Sequence, residues 1–562
     1  MLKKKQIGII EVVHHYLLFF VFLFMSAIVW GQSMSQGKNF YIGIDNTGDK
    51  YKSGEFFNSE AMDSLGVDFV VYHYHGPTGT IKEEVEKMKA LGESFAKKGL
   101  KVIVNTECGN WSESLVDKEG NDWVKQPDGL HLFKFPHEVL VSLNQSNAVW
   151  GIQYDELEHS QITRNVSLTI ENPSIKVVSL AETNGMTFTE ADDAVCKGAK
   201  SLVAECKADG TNNVFSENVW PVLYHNFARA GMIPVYKQMK EGWSNIWAAC
   251  AMGACLQYDK DLCACLDLWN HDVFPGHSAA ELRGNLYFSY WAGVDKAYVE
   301  AIGNHTYELK DDGHIVFKDR GRVFSDFTHK YLPANPRPYT FRDYQPEIAI
   351  IRFDDTDWGQ GNHVYSIWVN GGDTLKLYWP DWLFGAYNLN RSDASEEWIR
   401  AWNTITHGWV KKNSLSWANY EAYKDMPHRS FAPANAPIVY DQTVTRKYLE
   451  TVKLVFLCGL QISRQTMSDV TDLVREKGLT VVTSVRFAPE RFAKRYSDGV
   501  KEFNDGKGRW ILTDDMASDK LKRILNPLLG NENEIVCKFK GNRTVRMDIS
   551  PDGNELQIFK NF

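Results

Sequence analysis

The chain has 562 residues, with 62 Lys and Arg against 71 Asp and Glu for a formal net charge of −9, and is 44% hydrophobic and 24% charged. That length and balance exclude disordered, collagen-like and small disulfide-scaffold classes, and leave room for roughly three to four domains, or fewer if one is a large α/β barrel. Without a basic surplus to neutralise phosphates, nucleic acid is not expected as a partner.

The N-terminus carries Lys3-Lys4-Lys5, an apolar run from Tyr16 to Trp30, and then Gly31-Gln32-Ser33. A charged start, about 15 apolar residues and small residues after them match a secretory signal over 1–32. The run is short of the roughly 20 residues that span a bilayer. The expected product is secreted or periplasmic, with no stable membrane insertion; the alternative is an uncleaved anchor.

Short apolar strings then alternate with helical segments. Tyr41–Ile44 ends at Asp45, Asp68–Tyr72 at His73, Lys101–Val104 at Asn105-Thr106-Glu107, and Val149–Gln153 at Tyr154-Asp155-Glu156. Ile175–Leu180 ends at Glu182, Met232–Tyr236 at Lys237, Leu262–Leu266 at Asp267, and Lys296–Val299 at Glu300. Helical patterns cover Ile81–Lys98, Glu190–Ala208, Ile246–Gln257 and Ala279–Ala292. Eight such units predict a (β/α)8 barrel over 38–333, an α/β fold whose active site sits where the strands end.

Pro333, Pro336 and Pro338 mark a linker, and a second α/β region is expected over 346–530. It opens on the apolar string Glu347–Phe353. Later come a strand Leu454–Cys458, a helix Ser463–Lys477, Gly478 and a strand Thr480–Val485, the order of a flavodoxin-like half. Residues 531–562 predict a small β tail of strands Glu534–Phe539, Thr544–Ile549 and Glu555–Phe559. Most of the nine cysteines fall in apolar strings and are expected as small buried hydrophobes. No CxxC or HxxxH spacing marks a zinc site, and no nucleotide-binding or serine-hydrolase string is present. No metal and no cofactor are therefore expected.

The chemistry candidates are carboxylates. Gly151–His159 (GIQYDELEH) delivers three of them within four residues at a strand end. Glycoside hydrolysis needs two carboxyls flanking the scissile bond, one to protonate the leaving oxygen and one to attack or to activate water. Glu156 is the expected acid/base, with Asp155 or Glu158 near enough to raise its pKa by repulsion. Glu300 is the expected second carboxylate, with Glu182, Glu241 and Asp267 as rivals. His73, Trp111, Lys237, Trp269, Asn270 and His271 stand at other strand ends and complete a substrate-binding set. The aromatic content, 13% with 18 Trp, suits stacking on sugar rings. A metal-dependent hydrolase would instead need His73, His271 and an Asp to converge.

A barrel, a strand-helix-strand domain and a β tail together resemble glycoside hydrolase family 42 and its relatives, including the family 164 β-mannosidases. The strings that carry the likeness are Glu347–Phe353, Leu454–Val485 and Gly293–Glu300 (GVDKAYVE). The resemblance implies a middle domain like class I glutamine amidotransferases that mediates trimer contacts. Cys458-Gly459 is not a G-x-C-x-G nucleophile motif, so that domain is expected to be non-catalytic. The resemblance also implies a retaining β-glycosidase acting on a poly- or oligosaccharide. Its Asn-Glu at the end of strand four becomes Asp155-Glu156, a departure at the first position. Its nucleophile, a Glu ending strand seven, falls on Glu300, although that strand counts as the eighth. Either Ile175–Leu180 is an excursion, or the layout differs and Asp267 is the rival. The alternative function is glycan binding on a degenerate barrel, its carboxylates splayed apart or held in ion pairs.

Overall fold

Eight parallel strands close into a barrel in the computed structural model, which describes residues 38–45, 56–110, 112–161, 178–183, 185–240, 244–267, 277–300, 306–353, 363–368, 374–379, 393–410 and 429–562. The expected signal segment lies outside the described residues. The strands are β1 Tyr41–Asp45, β2 Phe69–His73, β3 Lys101–Asn105, β4 Val149–Asp155, β5 Asn213–Asn218, β6 Ile233–Gln238, β7 Cys263–Leu266 and β8 Lys296–Val299. β8 pairs with β1 to shut the ring. Helices between the strands include Ile81–Lys97, Phe188–Ala208, Ser244–Tyr258 and Ala279–Trp291.

One expected strand is corrected. Leu180 belongs to no strand, and residues 175–177 lie outside the described set. The backbone there is satisfied by a side chain instead of a ladder: Gln161 Oε1 accepts from the Leu180 and Ala181 amides at 2.8 and 3.2 Å, and its Nε2 donates to the Ala181 carbonyl at 2.7 Å. The true fifth strand is Asn213–Asn218 (NVFSEN), so Glu300 does end the eighth strand and Asp267 follows the seventh.

Alternation along the strands explains both the core and the site. Side chains two apart share a face, so each barrel strand sends every second residue inward. Phe69, Val71, Ile103, Phe215, Val235, Cys265 and Tyr298 fill the interior. One step further toward the C-terminal ends, the same row continues as His73, Asn105, Glu217, Lys237, Asp267 and Glu300. Gly43 leaves room for the ring of Phe69, which a Cβ there would meet at 2.7 Å. The top layer of the barrel filling is thus polar, and it is the candidate site.

Beyond the barrel lies a six-stranded sheet in the order Pro437–Asp441, Ile348–Arg352, Leu454–Cys458, Thr480–Thr483, Gly508–Thr513, Val500–Asp505. All pairings are parallel except the last. Its helix Arg464–Lys477 starts on a Ser463 cap that accepts from the Thr466 amide and stops at Gly478, whose φ of 87° an L side chain resists. Glu534–Phe539, Arg543–Ile549 and Leu556–Asn561 form an antiparallel tail sheet, joined in parallel by Ala434–Asn435. The barrel and the six-stranded sheet are bonded directly. Arg352 donates to the Pro221 carbonyl at 2.6 Å, and His225 Nε2 meets the Val439 carbonyl at 3.1 Å. Eight described cysteines are buried, and none of them forms a disulfide among the described residues. No described helix is long and apolar enough to cross a membrane.

Candidate active site

The centre of the site is Lys237, the last inward residue of β6. Its Nζ lies 3.1 Å from Glu156 Oε1, 3.2 Å from Glu217 Oε1, 3.1 Å from Glu300 Oε2 and 3.6 Å from Asp267 Oδ2. Burial opposes a charge on the amine, but Glu300, Asp267, Glu156 and Glu217 hold its pKa well above the usual lysine value. Carboxylates from the ends of β4, β5, β7 and β8 therefore converge on one ammonium.

Glu156 reaches this point by a backbone departure. Asp155 occupies the inward row of β4, so an extended chain would send Glu156 outward. Instead Glu156 has φ of 49°, in the left-handed region that non-glycine residues avoid. Its amide still donates to the Glu217 carbonyl at 2.9 Å, so β4 stays in register with β5 while the side chain turns into the mouth. Oε1 meets Lys237 and Oε2 meets His159 Nδ1 at 3.3 Å. Burial works against its charge, yet Lys237 and His159 prevail and bring its pKa down to about 2. The expectation that Asp155 or Glu158 would raise it is corrected: a cation in direct contact outweighs the neighbouring carboxylates.

Glu300 is the opposite case. Burial and the adjacent Asp267 drive its pKa well above the usual carboxylate value, against the pull of Lys237. Cys265 donates its thiol to Oε2 at 3.1 Å. Glu156 Oε1 and Glu300 Oε2 thus lie on the same nitrogen, at 3.1 Å each, so the two carboxyls face one another across the mouth.

Glu217, missed in the sequence, is 1% exposed and anchored from below. Gln153 donates to its Oε2 at 2.5 Å, and the Tyr298 hydroxyl donates to the same oxygen. Burial raises its pKa against the pull of Lys237 and Tyr298. The signal was the alternation Phe215-Ser-Glu217, which places Glu217 directly above an inward Phe.

The remaining expected residues divide. His73 stands between Asp45 (Nε2 to Oδ2, 3.2 Å) and Glu107 (Nδ1 to Oε2, 2.9 Å). Burial opposes its charge, but these two bonds hold its pKa well above the usual histidine value. Asp155 accepts from Asn105 Nδ2 at 3.2 Å, and burial with Glu217 beside it pushes its pKa well up. Glu158 does not face the mouth. It is fully buried and accepts from the Val219 and Trp220 amides at 2.6 and 2.9 Å, holding the turn after β5. Trp111, Trp269, Asn270, His271 and Glu241 lie outside the described residues.

No family model and no curated protein matches the chain. Among solved structures it is similar to an exo-β-1,4-mannosidase from Opitutaceae bacterium strain TAV5, at 9% identity and TM-score 0.49 over 86% of this chain and 93% of that one. It is also similar to an exo-carrageenase of family 42 from Bacteroides ovatus, at 8% identity and TM-score 0.47 over 94% and 78%. A D-allulose 3-epimerase from Methylomonas sp. matches at 10% identity and TM-score 0.29 over 54% and 99%.

Proposed function

We propose that the protein is a retaining glycoside hydrolase acting on a poly- or oligosaccharide through Glu156 and Glu300. The observation that carries the reading is the convergence of these two carboxyls, from opposite sides of the barrel, on Lys237 at 3.1 Å each. Glu156 Oε1 faces the Lys237 ammonium and Oε2 faces the His159 ring, which suits a carboxylate that attacks the anomeric carbon. Glu300 keeps its proton and gives it to the leaving oxygen. Water then hydrolyses the glycosyl-Glu156 ester, with Glu300 taking the proton back from it. This reverses the roles that the family resemblance implies, where the strand-four Glu is the acid/base.

Azide separates the two assignments. With a small nucleophile present, an alanine variant of the attacking residue yields a glycosyl azide of inverted configuration, and an alanine variant of the acid/base residue yields one of retained configuration. Inversion is expected with Glu156→Ala and retention with Glu300→Ala; the reverse result would restore the roles implied by the resemblance.

A second reading is a non-catalytic glycan-binding barrel, and the close contacts that both carboxyls make with Lys237 favour it. It is distinguished by binding without turnover. Export is proposed on the N-terminal segment over 1–32. The six-stranded sheet is proposed as a non-catalytic amidotransferase-like domain and the assembly as a trimer, on the resemblance alone. Light scattering on the purified chain tests the trimer.

A further inference from the structure

Lys237 neutralises the carboxylates on one side of the barrel mouth. The other side, from β1 to β4, holds Asp45, Glu107 and Asp155 with one imidazole, His73. Ligand atoms of His73, Glu107 and Asp155 all lie within 4.8 Å of one another. Their surroundings are wired as a metal site is. Asp45 meets the far ring nitrogen, Nε2, at 3.2 Å, which fixes the ring and turns Nδ1 toward Glu107. Asn105 orients the Asp155 carboxylate and anchors the Glu107 backbone: its Nδ2 donates to Asp155 Oδ2 at 3.2 Å and its Oδ1 accepts from the Glu107 amide at 2.8 Å. Asp155 is 3% exposed, and its other oxygen, Oδ1, has no hydrogen-bond partner. A buried acceptor left without a donor is costly, and a cation satisfies it. The Glu107 side chain is 43% exposed, which opens the cluster to solvent.

We propose that His73 Nδ1, Glu107 and Asp155 bind one divalent transition-metal ion, of the Zn²⁺ or Mn²⁺ kind. One imidazole nitrogen with two carboxylates suits such ions, whereas Mg²⁺ and Ca²⁺ prefer oxygen-only sets. Nδ1 and the Asp155 carboxyl give up any proton they carry to solvent when the ion binds. The proposal stands whether or not the barrel hydrolyses glycosides.

The test is calorimetric titration of the EDTA-dialysed full chain with ZnCl2, MnCl2, MgCl2 and CaCl2, with thermal unfolding alongside. One equivalent of Zn²⁺ or Mn²⁺ is expected to bind and to raise Tm by several degrees. Glu107→Gln keeps the size of a half-exposed residue and an acceptor for His73 Nδ1, and is expected to fold cooperatively, with its own metal-free Tm as the reference, yet to bind at least tenfold more weakly. His73→Gln is expected to abolish binding. Absence of binding by all four ions would overturn the proposal, as would preference for Mg²⁺ or Ca²⁺, or undiminished affinity in Glu107→Gln.

Discussion

Lys237 Nζ lies 3.1 Å from Glu300 Oε2, and both residues are buried. The same nitrogen serves Glu156, Glu217 and Asp267, so its removal strands several carboxylates at once. Breaking one partner of a buried ion pair typically costs about 3–5 kcal/mol. Lys237→Met is therefore expected to lower stability by about that much in urea unfolding, and Lys237→Arg by less. A loss of under about 1 kcal/mol for Lys237→Met would show that the carboxyls shed their charge by taking up protons instead.

The left-handed backbone at Glu156 gives a second prediction. A φ of 49° costs an L residue about 1–2 kcal/mol relative to glycine. Glu156→Gly and Glu156→Ala both remove the carboxylate and its bond to Lys237. The glycine variant is nevertheless expected to be the more stable of the two by about 1 kcal/mol. Equal stabilities would place residue 156 in an ordinary conformation.

Contact between barrel and sheet depends on Gly253. In helix Ser244–Tyr258 this residue faces the Val439 carbonyl so closely that a Cβ would collide with it. A backbone oxygen held in a strand cannot swing aside as a side chain can. Gly253→Ala is expected to cost about 1–3 kcal/mol, in the range of overpacked cores. Scanning calorimetry that shows an unshifted transition would contradict this close approach.

Asp295 predicts a pH dependence. Burial raises its pKa to about 6, although its Oδ2 accepts from the Leu262 amide. The folded value exceeds the unfolded one of about 3.9, so the folded state holds the proton more tightly. Its contribution is fully present below about pH 3.9 and is lost as pH rises through about 6. Asp295→Asn keeps an acceptor for Leu262 and removes the charge. The variant is expected to lie near the wild type at pH 4 and to exceed it by about 2–3 kcal/mol at pH 7. An equal difference at both pH values would refute the shift.

Seven of the eight barrel strands were legible because each is a short apolar string ending in a polar residue. The fifth was not. Its inward positions are Phe215 and Glu217, and Glu217 interrupts the apolar run because it belongs to the site itself. Ile175–Leu180 looked more like a strand because of its β-branched residues, but the fifth place in the barrel belongs to Asn213–Asn218. The positions of Glu156, Glu300, Lys237 and His73 at the strand ends were legible as well. Their partnerships were not. That four carboxylates share one ammonium depends on the stagger of β5 to β8, and the inward turn of Glu156 depends on one dihedral angle. Neither leaves a mark in local composition. Glu158 illustrates the converse: an acidic residue beside the site by sequence serves two backbone amides.

The most direct test of the central claim is hydrolysis of a panel of aryl α- and β-glycosides and glycans by the wild type, Glu156→Gln and Glu300→Gln. The expected result is a wild-type activity that falls by at least roughly a thousandfold in each variant, about 4 kcal/mol of transition-state stabilisation. Activity that survives either substitution would contradict the assignment of the pair, and glycan binding without turnover by the wild type would contradict the hydrolase itself.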